Sequence, residues 1–310
     1  MKKSRVLVTG GAGFIGSHLA EALVGRGFEV RILDDLSVGL KGNIPKDCEF
    51  LCGSILDENL VQNAVSGTET VFHLAARVSI RGSVDRFVED AETNLTGTLH
   101  LLRAASRAGV RRFVFSSSMA VYGDSPQPHP VSEDSLLEPV SPYGIGKLAA
   151  EKYLFLLGKS LGVEPVALRY FNTFGTRQGY TPYVGVITIF VTRLLNRQSL
   201  VVFGDGGQVR DFVHVSDIVQ GNLLALETPS AAGNVFNIGT GKGTRVLEIA
   251  DLLMAKMNRR VPIEFAAALP QELRNSIADI SRAQNTLGYR SATNLERDLD
   301  EVLSYLAVAI

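Results

Sequence analysis

Short apolar runs alternate with amphipathic stretches along the first half of the chain. Arg5–Thr9 reads as a buried strand, and after it Ile15, Leu19, Ala22 and Leu23 recur at helical spacing. Glu29–Leu33, Cys48–Leu51, Thr70–Leu74, Arg112–Ser116 and Glu164–Arg169 repeat the strand pattern. Between them Asp90–Ala108 carries an apolar face at Leu95, Leu99, Leu102 and Ala105, and Pro142 opens a helix through Leu161. Proline suits a first helical position because its missing N–H has no helical partner there. The five prolines from Asp124 to Pro142 mark a surface loop. Repeated β-α-β units predict an α/β fold with a doubly wound parallel sheet covered by helices on both faces.

After Phe171 the rhythm loosens. A helix is expected over Val184–Asn196 and a strand over Leu200–Phe203, followed by the turn Gly204-Asp205-Gly206-Gly207. Val209–Val215 reads as extended, Ser216–Leu226 as helix and Val235–Ile238 as strand. Helices at Val246–Met257 and Asn294–Leu306 flank a strand at Val261–Phe265. The pattern predicts a first unit over 1–170 and a smaller C-terminal α/β lobe over 171–310, with parts of 205–240 returning to the first unit.

Composition narrows the function classes. The 310 residues are 45% hydrophobic and 20% charged, as in ordinary globular chains. A net charge of −1 gives no basic field for nucleic acid or an anionic membrane. No apolar run approaches a membrane span, and Met1-Lys2-Lys3-Ser4 leads directly into the first strand, so the expectation is a cytoplasmic protein without a signal peptide. Cys48 and Cys52, the only cysteines, are expected to be free thiols. No His, Cys or carboxylate spacing suggests a catalytic metal.

The candidate chemistry starts at Gly10-Gly11-Ala12-Gly13-Phe14-Ile15-Gly16, a glycine-rich turn from strand to helix. Glycines let backbone approach a pyrophosphate, and the helix N-terminus offers unpaired N–H groups, as in Rossmann dinucleotide sites. Asp34, 18 residues beyond Gly16, ends the second strand. A carboxylate there can bind both adenosine ribose hydroxyls and repel a 2′-phosphate, which favours NAD over NADP. Asp35 is expected to be solvated. Tyr143 and Lys147 stand four apart on one helix face. A tyrosine is a base near neutral pH only if positive charge lowers its pKa from about 10. Ser116-Ser117-Ser118 closes the fifth strand, at the carboxyl edge where ligands of parallel sheets bind.

These residues, with His73-Leu74-Ala75-Ala76, Asn94 and Val121-Tyr122-Gly123, resemble the extended short-chain dehydrogenase/reductases. Leu168–Asn172 and Arg210–Asp217 narrow the resemblance to the nucleotide-sugar epimerase branch, nearest to the UDP-galactose 4-epimerases. The resemblance spans nearly the whole chain. It implies a cofactor site of Gly10, Gly13, Phe14, Ile15, Gly16, Asp34, Ser54, Ile55, Leu74, Ala75, Ala76, Asn94, Ser116, Tyr143, Lys147 and Tyr170. Tyr143 would take the proton of the sugar 4-hydroxyl, with Ser118 bonded to the same oxygen, while NAD accepts the C4 hydride. The 4-keto sugar would turn and take the hydride back on its other face. Lys147 would hold the nicotinamide ribose and depress the pKa of Tyr143. Asn172, Val202, Arg210 and Ser276 would join Ser118 and Tyr143 in binding the UDP-sugar. The paired helices 90–108 and 142–161 would form a homodimer interface.

Departures from the family pattern refine this reading. Met119 and Ala120 stand where related dehydratases carry acids and decarboxylases a Glu, which disfavours dehydration. Ser54 replaces an Asp that touches adenine in relatives. Aligning on Ala278-Asp279 puts Leu269, Pro270, Gln271 and Glu272 in place of Arg-x-Gly-Asp, so a second diphosphate arginine is missing, with Arg274 as a neighbouring substitute. Ser276 falls where relatives vary between Tyr and small residues, leaving room for a 2-acetamido group and so for UDP-GlcNAc and UDP-GalNAc. The alternatives are another nucleotide-sugar epimerase, such as one acting on UDP-glucuronate, or a catalytically silent NAD-binding regulator. His73 is read as a buried structural group, His100 as a helix-face residue and Asp217 as a helix cap; His214 has no assigned role.

Overall fold

The computed structural model describes residues 4–124, 129–180, 185–269 and 273–309. The strands are β1 (Arg5–Thr9), β2 (Glu29–Asp34), β3 (Glu49–Cys52), β4 (Thr70–His73), β5 (Arg112–Ser118), β6 (Glu164–Tyr170), β7 (Asn172–Phe174), β8 (Leu200–Phe203), β9 (Val209–Arg210), β10 (Phe212–His214), β11 (Val235–Ile238), β12 (Thr244–Arg245), β13 (Ile263–Ala266) and β14 (Asn275–Ser276). The helices are α1 (Phe14–Gly25), α2 (Glu58–Val65), α3 (Gly82–Asp85), α4 (Phe87–Ala91), α5 (Thr98–Arg107), α6 (Pro142–Gly158), α7 (Val186–Leu195), α8 (Val215–Glu227), α9 (Val246–Lys256), α10 (Ser281–Leu287) and α11 (Leu295–Ala309).

A seven-stranded sheet in the order β11-β6-β5-β4-β1-β2-β3 forms the centre, with every neighbouring pair parallel. Both of its faces are buried, which explains why its strands read as apolar runs rather than alternating ones. Val6 and Val8 face one core with Leu19 and Ile32. Leu7, Phe113 and Phe115 face the other with Leu101 and Leu154. Strand order reverses between β1 and β4, and the turn after β1 opens there, at the switch point where such sheets bind ligands. β11 lies beside β6, so the chain returns to this sheet after leaving it at residue 171.

The second lobe has its own core, built from Phe174, Phe190, Leu194, Leu200, Val202, Phe212, Leu253 and Leu299. It uses small sheets: β10 with β7, β13 with β8, and β12-β9-β14. The segment expected to be extended over 209–215 is thus two short strands in different sheets. β7, β12 and β14 span only two or three residues, too few to show a sequence period.

The long helix expected over 90–108 is interrupted. α4 ends at Ala91, a π-helical turn covers Glu92–Gly97, and α5 resumes at Thr98. Such wide turns cluster at functional sites. β5 runs two residues beyond its expected end, which puts the whole serine run in the sheet. α6 starts as predicted, with Pro142 at its first turn and Ser141 Oγ accepting from Gly144 N at 3.1 Å. It ends at Gly158, three residues short of Leu161. Helix α7 begins at Val186, and the expected start at Val184 lies outside the described residues, as do Pro270, Gln271 and Glu272.

Candidate active site

The turn after β1 is fixed by close backbone packing. Gly10 has φ +72°, and a Cβ there would stand 2.7 Å from Ala75 N. A Cβ on Gly16 would stand 2.1 Å from Gly10 O, so the helix start and the turn interlock only without side chains. That crowding leaves a bare backbone concavity, which is what a pyrophosphate requires. A cavity of about 420 Å³ opens over it along the carboxyl edge of the sheet.

Fifteen of the sixteen expected cofactor residues line this cavity: Gly10, Gly13, Phe14, Ile15, Gly16, Asp34, Ser54, Ile55, Leu74, Ala75, Ala76, Ser116, Tyr143, Lys147 and Tyr170. Ser118 joins them. Asp34 Oδ2 accepts from Ala12 N at 2.9 Å and Oδ1 from Leu36 N at 2.8 Å. Burial pushes its carboxyl above the usual value, opposed by these two bonds. Asp35 is exposed and accepts from Ser37 N, as a solvated turn residue would.

Asn94 is the exception. Its side chain is buried in the π-helical turn and bonds to protein: Oδ1 accepts from Arg77 N at 2.9 Å, and Nδ2 donates to Arg77 O at 3.1 Å and Asp90 Oδ2 at 3.0 Å. It clamps the segment after β4, where Arg77 and Val78 face the cavity. Its place is behind the lining.

At the catalytic end, Ser118 Oγ bonds the Tyr143 phenol and accepts from Ala120 N at 3.2 Å. Lys147 Nζ donates to Ser116 O at 2.8 Å and stands 5.9 Å from the Tyr143 ring centroid. Burial lowers the Lys147 pKa to about 8, with Asp90 and Glu151 opposing. Burial pushes the Tyr143 phenol up to about 12; the Ser118 bond lowers it and Asp90 raises it. Desolvation thus dominates the phenol, and the Lys147 ammonium is engaged by a carbonyl.

His73 is structural, as expected, and its tautomer follows from its neighbours. Thr98 Oγ1 donates to Asn94 O, so it accepts from His73 Nε2 at 2.8 Å. Thr9 Oγ1 accepts from Ala75 N and donates to His73 Nδ1 at 2.7 Å. The ring is neutral, and burial holds its pKa down at about 3.

The expected substrate residues in the second lobe lie off this cavity. Ser276 pairs with Arg210 across β14 and β9, which puts the two side chains on one sheet face. Asn172 N donates to Asp211 O at 3.0 Å beside them. Asn172 Oδ1 and Ser276 Oγ are buried without protein partners. Orphaned buried polar atoms are costly, and each calls for a partner. Val202 departs from the expectation: its side chain is 1% exposed and packed in the second core, so it presents no side chain to a ligand. Arg274 is held by Asp205, with Nη2 to Oδ2 at 3.0 Å, and its carbonyl accepts from Arg210 Nη1 at 3.4 Å. Leu269 is half-buried and offers no charge.

Among the described residues, no group of three His, Cys, Asp or Glu is placed to hold a metal ion. No helix among them is long and apolar enough to cross a membrane. Cys48 and Cys52 are free thiols. Asp217 caps another turn than its own helix: its carboxylate accepts from Ala292 N, Thr293 N and Thr293 Oγ1. His100 pairs with Glu58 on α2, and His214 with Glu301 on α11. Sequence reasoning missed Arg77, Gln178 and Gly39, all at the cavity. Gly39 had a readable signal, a glycine soon after the acidic strand end, and a Cβ there would lie 2.8 Å from Ala12 Cβ.

The sequence model of the NAD dependent epimerase/dehydratase family matches residues 6–239. The chain belongs to that family. Its fold is close to the crystal structure of a UDP-glucose 4-epimerase with UDP-glucose from Thermotoga maritima, with a TM-score of 0.94, 38% identity and coverage of 98% of this chain and 99% of that one. It is 36% identical over 308 residues to a UDP-glucose 4-epimerase of Mycolicibacterium smegmatis, covering 97% of this chain and 98% of that protein. It is also 35% identical over 321 residues to a UDP-N-acetyl-alpha-D-glucosaminuronate decarboxylase of Bacillus cytotoxicus, at 98% coverage of both. Membership thus spans several reactions on nucleotide sugars, and the chemistry of the site must choose among them.

Proposed function

We propose that the protein is an NAD-dependent 4-epimerase of UDP-hexoses, acting on UDP-glucose and UDP-galactose and also on their 2-acetamido forms. The observation that carries this reading is the composition of the catalytic end. Ser118, Tyr143 and Lys147 converge on the cavity, while the positions after Ser118 are Met119 and Ala120, both buried and neither able to move a proton. Dehydration and decarboxylation would need an acid at those positions, whereas oxidation and reduction at C4 would draw on the three residues present.

Gly10, Gly13 and Gly16 would pass the pyrophosphate close to backbone, and Asp34 would take the adenosine ribose. The cradle that a Cβ would fill at Gly10 and Gly16 fits this cofactor. Bound NAD supplies a reversible acceptor for the C4 hydride. Tyr143 takes the proton of the 4-hydroxyl as the sugar becomes a 4-keto form, and returns it when the alcohol is remade on the other face. Ser118 holds that oxygen in both half-reactions. Lys147, fixed on Ser116 O, brings its donors to the cofactor ribose and a positive charge near the phenolate. Arg210, Asn172 and Ser276 anchor the nucleotide part, so that the sugar turns while the molecule stays bound.

Two further parts belong to the proposal. Ser276, small where relatives vary between tyrosine and small residues, would leave room for a 2-acetamido group. Ile145, Tyr153 and Leu156 on α6 and Phe87 and Val88 on α4 are exposed apolar residues on packed helices, and this surface forms a homodimer. Light scattering at assay concentration checks the dimer.

Incubating the purified protein with UDP-galactose and with UDP-GalNAc, and measuring UDP-glucose and UDP-GlcNAc, tests the function. Interconversion of both pairs is expected. No interconversion of any UDP-hexose by protein that retains NAD would overturn the reading.

A further inference from the structure

Asp90 is a buried carboxylate that the reaction described above does not use. It closes α4, just before the π-helical turn, and is 2% exposed. Oδ2 accepts from Asn94 Nδ2 at 3.0 Å, and Oδ1 has no hydrogen-bond partner. A Cβ added to Gly146 would meet that same Oδ1 at 3.6 Å, so the carboxylate lies against α6 between the turns that carry Tyr143 and Lys147. Burial pushes the Asp90 carboxyl above its ordinary value, opposed by the Asn94 bond and by the Lys147 and Arg77 charges, so holding the acid there is costly and a neutral residue that packs would avoid the cost. Its location must supply the return.

The charged and titratable groups facing it come from each packed element. From α6 they are Tyr143 and Lys147; Glu151, one turn farther on, faces Lys147 and is itself paired with Arg169. From the segment after β4 there is Arg77, and its own helical run contributes only the neutral amide of Asn94. His73, nearby in β4, is neutral and adds no charge. Lys147 is enclosed, its Nζ bonded to a neutral carbonyl and lying over the Phe115 ring at 4.8 Å. An ammonium in such surroundings sheds its proton unless an anion offsets the desolvation.

We infer that Asp90 is a positioning residue of the active site: its carboxylate is the counter-charge that keeps Lys147 protonated, and through Asn94 it anchors the Arg77 segment over the cavity. The two roles share one geometry. The Oδ2 bond draws Asn94 Nδ2 toward Asp90, which leaves Asn94 Oδ1 facing Arg77 N. The carboxylate thereby orients the amide that clamps the cavity wall.

This inference rests on the proposed epimerase reaction, and its test separates the two. In Asp90→Asn the negative charge is lost, so the pKa values of Tyr143 and Lys147 both fall. Both limbs of the kcat/KM profile for UDP-galactose are expected to move to lower pH, by about one unit. Asp90→Glu restores the charge and should bring the limbs at least halfway back. A loss of amplitude without movement of either limb would reduce Asp90 to a packing residue and overturn the inference.

The second measurement needs no turnover. Lys147 is titrated by nitrogen-15 NMR in the wild-type protein loaded with NAD, its signal assigned by absence in Lys147→Met. An ammonium that persists to about pH 8 or above is expected. Loss of the proton below pH 7 would overturn the inference whether or not Asp90→Asn folds. A protein that passes this titration but turns over no UDP-hexose would sink the epimerase reading alone.

Discussion

Lys147 gives its ammonium to the carbonyl of Ser116 at 2.8 Å, while standing 5.9 Å from the centre of the Tyr143 ring. The helical pair is therefore fixed to the sheet edge rather than to itself. With burial pushing the phenol up to about 12, Tyr143 is protonated at neutral pH in this arrangement. The role of base proposed for it would depend on positive charge arriving with the cofactor.

Replacing Tyr143 by Phe removes the proton acceptor and keeps the ring. Turnover of UDP-galactose should fall by about 10²–10⁴-fold. NAD content per subunit, read from absorbance after denaturation, should fall by no more than about tenfold, the order of a single lost neutral bond. Unchanged turnover would remove Tyr143 from the mechanism.

Acid should unfold the protein partly through His73. Its folded pKa, about 3, lies below its unfolded value of 6.5. Between these values the unfolded chain binds a proton that the folded ring refuses, so stability falls as pH drops from 6.5 toward 3. Each unit is worth about 1.4 kcal/mol. In His73→Gln, urea midpoints between pH 4 and 7 should show a shallower slope, on a lower stability at pH 7 because the Thr9–Thr98 chain is broken.

Ser276→Tyr should close the space beside the sugar. A drop in kcat/KM of at least roughly tenfold is expected for UDP-GalNAc, against a few-fold or less for UDP-galactose. Equal losses on both substrates would show that Ser276 does not sit beside the 2-position.

The two arginines near the proposed diphosphate differ in setting. Arg210 is buried, whereas Arg274 is half-exposed and gripped by Asp205. Exposed pairs of this kind carry little energy. Arg210→Ala is expected to raise the KM for UDP-galactose by roughly tenfold or more, the order of one charge-assisted bond. Arg274→Ala should leave it within about threefold. A large effect at Arg274 would make it the replacement for the arginine lost at Leu269.

The sequence displayed the central sheet because its inner strands are buried on both faces and long enough to read as apolar runs. The glycine turn and Asp34 were legible for a different reason: their chemistry is local. Asn94 was not, since its role depends on Arg77, 17 residues away in the segment after β4, a contact that helical periodicity does not reveal. Nor was the packing of Val202, because a two-lobed chain with short strands gives no period by which to separate a cleft face from a core face. Arg210 and Ser276 were put together only through family resemblance; their pairing across β9 and β14 joins residues 66 positions apart in a sheet that no spacing announces.

Asp34 holds Ala12 N with one oxygen and Leu36 N with the other. The carboxylate that would choose between coenzymes is thus also a fastener of the loop that receives them. Converting this chain to a 2′-phosphorylated coenzyme by exchanging Asp34 alone would release both amides at once. A redesign must first rebuild the 34–39 turn on other acceptors, and only then replace the acid.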